Sequence, residues 1–260
     1  MIDTHCHLDH HAFDSDREAV LQRSRAAGIH EWVIPAITLA SFANMLRLHS
    51  TTIHIAWGLH PLFCAQHPAN ALDQVQAWLS HHRPVAMGEI GLDGFAPRDS
   101  QERQTELFAA QLAMAQSLRL PLLLHVRKCH EEVLGMLRKN RFAWGGVVHA
   151  FSGSAQQAER YLQMGFCLGI GGVVTRTTAT RLRHLVSRLA AAAFVLESDA
   201  PDLPPAACNG QRNEPAFMVH TVDAIAALQQ RPPEEIIHDC TRNARRILSL
   251  TASHPPSGEP

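Results

Sequence analysis

Six side chains of metal-binding type lie far apart in the chain: His5, His7, Glu89, His125, His149 and Asp199. Imidazoles suit Zn, Mn, Ni or Co, and carboxylates also tolerate Mg. His5-Cys6-His7 carries its own geometry: on a strand, residues i and i+2 point the same way. Both imidazoles can then reach one ion, and Cys6 faces the opposite side as a packing residue. Taken singly, each of the six has an ordinary explanation, such as a salt-bridge partner, a core histidine or a turn cap before Pro201. Taken together, four imidazoles and two carboxylates are too many for one tetrahedral ion. They suffice for two ions roughly 3.5–4 Å apart, bridged by a carboxylate and a water.

What gathers such residues is a rhythm of short apolar strands and longer helical stretches. Strands are expected over 1–6, 31–36, 53–58, 85–89, 122–125, 146–149, 166–170 and 194–197. Helices are expected over 16–27, 39–49, 71–82, a stretch ending near 118, 130–139, 155–164, 178–189 and 215–230, with two short closing helices over 233–239 and 242–250. Ser15-Asp16-Arg17-Glu18 and Asp99-Ser100-Gln101-Glu102 read as capping boxes, Asn70 and Ser154 as caps, and Gly28 and Gly165 as stops. Eight strands alternating with helices predict an α/β fold, a TIM (β/α)8 barrel of the metallo-dependent hydrolase type spanning 1–251, with a frayed tail over 252–260. An open doubly wound sheet would normally show a Gly-rich phosphate loop after an early strand, and none is present. Gly169, Gly171 and Gly172 come late, after strand seven, and read as a tight turn that lets backbone approach the site. Polar residues occupy the C-terminal ends of six of the eight strands, the face on which barrels build active sites.

Composition narrows the class. The chain has 260 residues, a formal net charge of −1 and 46% hydrophobic residues, which excludes a disordered chain. The longest apolar runs, Leu120–Leu124 and Leu189–Leu196, are far too short to span a bilayer. The start, Met1-Ile2-Asp3-Thr4-His5, lacks the features of a signal peptide, so a cytoplasmic location is expected. Six scattered cysteines without Cys-x-x-Cys argue for reduced packing residues rather than a disulfide or zinc framework. A near-neutral chain does not favour strong binding to duplex DNA, so short strands or ends are expected.

Six motifs stand along the chain: Ile2-Asp3-Thr4-His5-Cys6-His7-Leu8-Asp9, Gly58-Leu59-His60-Pro61, Gly88-Glu89-Ile90-Gly91-Leu92-Asp93, Leu124-His125-Val126-Arg127, Val148-His149-Ala150-Phe151-Ser152-Gly153 and Leu196-Glu197-Ser198-Asp199-Ala200-Pro201. In these the chain resembles the TatD family of metal-dependent hydrolases, within it the bacterial branch of TatD-type deoxyribonucleases. Asn243 also resembles a family position. The resemblance implies two divalent cations: His5, His7 and Asp199 on one, His125 and His149 on the other, Glu89 bridging. With Glu89 in that place, no carboxylated lysine is needed. Val126, Ser198 and Ala150 depart from the usual residues and touch only substrate preference.

The resemblance also implies a deoxyribonuclease acting on single-stranded DNA, DNA ends or small phosphoesters, expected to be a monomer. In that reaction Asp199 would accept the proton of the nucleophilic water. His60 would contact the phosphate or protonate the leaving group. Arg127 would clamp phosphate, and Asp93 would orient a ligand. Of Arg176, Arg181, Arg183 and Arg188, Arg176 is expected to face the site and the others to be a solvated helix face. Two rivals remain open: an ester hydrolase on the same scaffold, such as a D-aminoacyl-tRNA deacylase, and a non-catalytic metal or nucleic-acid binding protein.

Overall fold

The computed structural model describes residues 1–250, so the expected tail lies outside the described residues. Eight parallel strands form one sheet in sequential order: β1 Ile2–Asp3, β2 Glu31–Pro35, β3 Ile53–Trp57, β4 Ala86–Asp93, β5 Leu122–Arg127, β6 Gly146–Val148, β7 Phe166–Ile170 and β8 Phe194–Leu196. The sheet closes where Thr4 N–H donates to Leu196 O at 3.1 Å and Asp199 N–H donates to His5 O at 2.9 Å. This is a TIM barrel. Its helices are α1 Arg17–Ala26, α2 Leu39–Leu48, α3 Ala71–His81, α4 Gln101–Leu118, α5 His130–Lys139, α6 Ala155–Gln163, α7 Thr180–Val186, α8 Met218–Gln229 and α9 Pro233–Leu248. Among the described residues no helix is long and apolar enough to cross a membrane.

Both faces of the strands are buried, which is why they read as continuous apolar runs. The outer faces pack on the helices in one large cluster. The inner faces supply one residue per strand to a second cluster: Ile2, Val33, Ala56, Ala86, Leu123, Val147, Cys167 and Val195. Ala244, Ile247 and Leu248 of α9 close it, so α9 plugs the barrel floor. Asn243 belongs to this structural role, donating to Ala191 O at 2.7 Å and to Phe194 O at 2.8 Å. The cysteines are free, and Cys6 is wholly buried, with its thiol toward Val33 O.

Several expected boundaries shift for local reasons. The two short closing helices are one 16-residue helix, because no glycine or proline interrupts the face carrying Ile236, Cys240, Asn243 and Ile247. Of the expected caps and capping boxes only Ser154, expected as a simple cap, caps through its side chain, and Gln157 reciprocates to complete a box. Asp16 spends its carboxylate on Arg212 at 2.7 Å instead, and the Ser100 hydroxyl donates to Pro97 O at 2.6 Å. The α7 helix is shorter than the expected stretch over 178–189. The first ladder ends at Asp3, before a bend at Thr4 and His5, so His5 and His7 are not successive teeth of a regular strand.

Candidate metal centre

Period-two alternation carries the inner layer upward from the plug. Two residues above Leu123, Val147 and Val195 stand His125, His149 and Glu197. Small residues make room beside them. A Cβ at Gly169 would collide with the Glu197 carboxylate, and one at Gly58 would come within 2.6 Å of the Gly88 backbone. Glu89 enters through a register shift between Met87 and Ile90.

These side chains meet at the floor of a cavity of about 1010 Å³. The two oxygens of Glu89 face different groups. Oε2 lies 3.2 Å from His5 Nε2 and 3.8 Å from His7 Nε2. Oε1 lies 2.9 Å from His125 Nδ1 and 3.2 Å from His60 Nε2. Asp199 Oδ1 lies 3.9, 3.8 and 3.4 Å from the Nε2 atoms of His5, His7 and His149. The His5 and His149 rings stack at 3.5 Å. His149 thus sits with Asp199 and His5, while His125 sits with Glu89 and His60.

The donor set suits divalent cations. Metal–donor bonds near 2.0–2.1 Å place tetrahedral donors about 3.3–3.4 Å apart, close to the separations among His5, His7, Glu89 and Asp199. His5 Nδ1 and His7 Nδ1 are buried without a hydrogen-bond partner, and His5 Nε2 and His149 Nδ1 lie within ion-pair distance of Glu89 and Glu197 without a well-aligned hydrogen bond. An unsatisfied buried polar atom costs about 1–3 kcal/mol, so these atoms ask for a partner that protein does not supply.

Charge is shared out by position. Burial pushes the Glu89 carboxyl up, but the imidazoles of His60, His5 and His125 outweigh it and hold it well below the usual range. Burial works against a charged His125, but Asp93 and Glu89 on its two nitrogens raise it to about 9. Burial likewise opposes His149, and Glu197 and Asp199 lift it well above its ordinary value. Burial keeps His5 and His60 low. Asp199 stays below its ordinary value because His149 outweighs burial.

The surrounding shell includes residues that sequence reasoning passed over. Glu197 is fully buried, accepts the Ala150 N–H at 2.7 Å and lies 3.1 Å from His149 Nδ1. It shares the parity of His125 and His149, the signal that points to it. Asp3 accepts from Ser198 N, Ser198 Oγ and His5 N, so it ties the two loops that carry Asp199 and His5. Burial raises Asp3 to about 7 against those bonds. From α4, Gln111 Oε1 accepts the Leu59 N–H at 2.7 Å and Gln104 Oε1 accepts the Asp93 N–H at 2.8 Å, which fixes the segments before His60 and at Asp93. Asp93 Oδ2 lies 2.8 Å from His125 Nε2, in the orienting position expected of it. Arg127 lines the cavity. Among the basic residues after β7, the expectation for Arg176 needs correction: its guanidinium donates to Pro204 O at 3.3 Å, and Arg181, in the first turn of α7, lines the cavity instead.

Residues 2–249 match the family described as TatD related DNase. The chain is 37% identical to the uncharacterized metal-dependent hydrolase YjjV of Escherichia coli K12, over 96% of this chain and 98% of that one. It is 32% identical to a 3′-5′ ssDNA/RNA exonuclease TatD of a Rahnella strain, over 92% and 95% of the two chains. The crystal structure of YjjV superposes with a TM-score of 0.92, covering 96% of this chain and 98% of the other. A TatD-family hydrolase of Entamoeba histolytica, at 19% identity, shares the fold with a TM-score of 0.86 over 96% and 98% of the chains. On these matches the chain belongs to the TatD family of metal-dependent hydrolases.

Proposed function

We propose that the protein is a cytoplasmic, monomeric nuclease that hydrolyses phosphodiester bonds of single-stranded DNA or DNA ends. In this reading two divalent cations are held, one on His5, His7 and Asp199, the other on His125 and His149, with Glu89 bridging; the place of His149 rests on the family resemblance, since its Nε2 faces Asp199 Oδ1 at 3.4 Å. The observation that carries it is the division of the Glu89 oxygens between the His5–His7 pair and His125. The relatives named as single-strand exonucleases support the substrate class. Bound divalent cations would supply charge for the phosphoryl oxygens and bring the pKa of a water near neutrality.

The chain's own groups do the rest. In this reading Asp199, held ionised by His149 against its burial, accepts the proton of the water that attacks phosphorus in line. Arg127 at the cavity wall pairs with non-bridging oxygens. His60 Nδ1 accepts the Leu62 N–H at 3.1 Å, so its neutral ring carries the proton on Nε2. That N–H faces Glu89 Oε1 at 3.2 Å; in this reading it would serve the phosphate or leaving oxygen as a donor once cations hold the carboxylate.

The test combines metal analysis with hydrolysis of a labelled single-stranded oligonucleotide and, in parallel, of D-aminoacyl-tRNA. The expected result is two ions per chain and shortening of the oligonucleotide. Cleavage of the ester alone, or no turnover with both ions bound, overturns the proposal.

A further inference from the structure

The mouth of the cavity is divided by charge. Asp9 and Asp202 line the side formed after β1 and β8, whereas Arg127 at the end of β5 and Arg181 of α7 line the other. A polyanion is therefore drawn to the Arg127–Arg181 side. Next to Arg127 stands Phe95, in the loop after β4. The large apolar side chains exposed among the described residues are Leu62, Phe95 and Trp144. Trp144 lies before β6, at the opposite pole, where Arg119 packs over it at 5.7 Å. Leu62 is part of the cavity lining, and Phe95 packs against the lining residue Arg127.

Phe95 is 59% exposed, yet it is held in place. The Arg127 guanidinium carbon lies 4.2 Å from its ring centroid, so one face is covered by a cation that also lines the cavity. Its backbone N–H donates to Asp93 Oδ1 at 2.8 Å. The other oxygen of that carboxylate lies 2.8 Å from His125 Nε2. One carboxylate thus anchors both the Phe95 backbone and a member of the candidate metal centre. An ordered aromatic ring, mostly open to solvent and backed by a cavity-lining arginine, offers a planar apolar face to an occupant.

We propose that Phe95, backed by Arg127, is a nucleobase platform: an unpaired base stacks on the open side of the ring while Arg127 and Arg181 take the adjoining phosphates. The inference rests on the nucleic-acid substrate proposed above and names its subsite. Stacking is sequence-tolerant, because every base has a π-face. A base inside a duplex is already stacked on both sides and cannot lie on Phe95, so the platform selects single strands and frayed ends.

The test is equilibrium binding in EDTA at low ionic strength, with a short 5′-labelled oligothymidylate and a strand of the same length and phosphodiester backbone that lacks bases. The wild-type protein should hold the thymidylate more tightly than the baseless strand. Phe95→Ala should raise Kd for the thymidylate between about 5-fold and about 150-fold, and change Kd for the baseless strand by less than about twofold. Phe95→Tyr should restore the wild-type difference, which separates stacking from a folding defect. Equal weakening of both strands, no weakening of either, or failure of the wild-type protein to prefer the thymidylate would each overturn the platform. Turnover of bis(4-nitrophenyl) phosphate by the metal-loaded wild-type protein reports on the hydrolytic reading separately. Its failure would sink that reading without touching the binding result.

Discussion

Replacing Asp93 by Asn probes the candidate metal centre through a residue that holds no cation itself. Asp93 uses both oxygens: Oδ1 accepts the Phe95 N–H at 2.8 Å and Oδ2 faces His125 Nε2 at 2.8 Å. Asparagine keeps the shape and one of the two acceptors. If its oxygen stays on Phe95, its amide hydrogens face His125 Nε2, and the imidazole must move its proton to Nδ1. That nitrogen lies 2.9 Å from Glu89 Oε1, on the side where a cation would need its lone pair. Loss of such an orienting partner costs about 10–100-fold in metal affinity, or about 1.4–2.7 kcal/mol at 1.36 kcal/mol per decade. Equilibrium dialysis with elemental analysis, repeated against chelators of graded strength, would resolve the two proposed ions. Asp93→Asn should weaken one ion by that factor and leave the ion on His5 and His7 within about threefold. Activity should recover with excess metal. Two ions held as tightly as in the parent protein would refute the reasoning, and so would equal loss of both.

Three further perturbations test separate parts of the structure. Glu89→Ala removes the carboxylate shared by both groups, so both ions should loosen and hydrolysis should be lost; two ions per chain with a near-normal rate would reject the bridging role. His130 is buried between Phe151 and Tyr161 with no partner at Nε2, and burial lowers its pKa to about 4. With an unfolded pKa of about 6.5, the unfolded chain binds the extra proton in that window. Stability from this group is therefore lost as pH falls through 6.5 toward 4, by about 2 kcal/mol between pH 7 and pH 5. Urea midpoints of His130→Phe should fall less steeply over that range than those of the parent, and parallel slopes would refute the assignment. Ser154→Ala breaks the one capping box that forms and should cost about 1 kcal/mol. Ser15→Ala, in a box that does not form, should stay within about 0.5 kcal/mol in the same denaturation assay.

How far the site could be read from sequence depends on backbone regularity. His125 and His149 follow from counting two residues up an apolar strand, and the same count finds Glu197 once it is applied to β8. Counting fails for Glu89 and His5, because a register shift and a bend turn them inward. Their motifs, not their parity, mark them. Strand order and barrel closure follow from the eightfold alternation, since short connections leave few other topologies. Side chains with two available partners were the unreadable part. Asp16 can cap α1 or pair with Arg212, and Arg176 can enter the cavity or bind the Pro204 carbonyl. Only the distances in the folded chain decide between them.

The charge pattern distinguishes a site built for exchange from a structural ion pair. A buried ion-pair cluster is often no more stabilising than apolar packing of the same volume, and this one also leaves His5 Nδ1 and His7 Nδ1 without partners. Stability alone does not account for it. Without cations, Glu89 and Asp199 are kept ionised beside imidazoles, and His125 and His149 stay protonated against their burial. Those protons occupy the nitrogens that a divalent cation would use, so loading is an exchange of protons for metal, and affinity must fall as pH falls. The carboxylates remain compensated in either state, which lets the same buried cluster persist with or without its ions. A barrel that selected only for packing would have filled this layer with more residues like Leu123 and Val147.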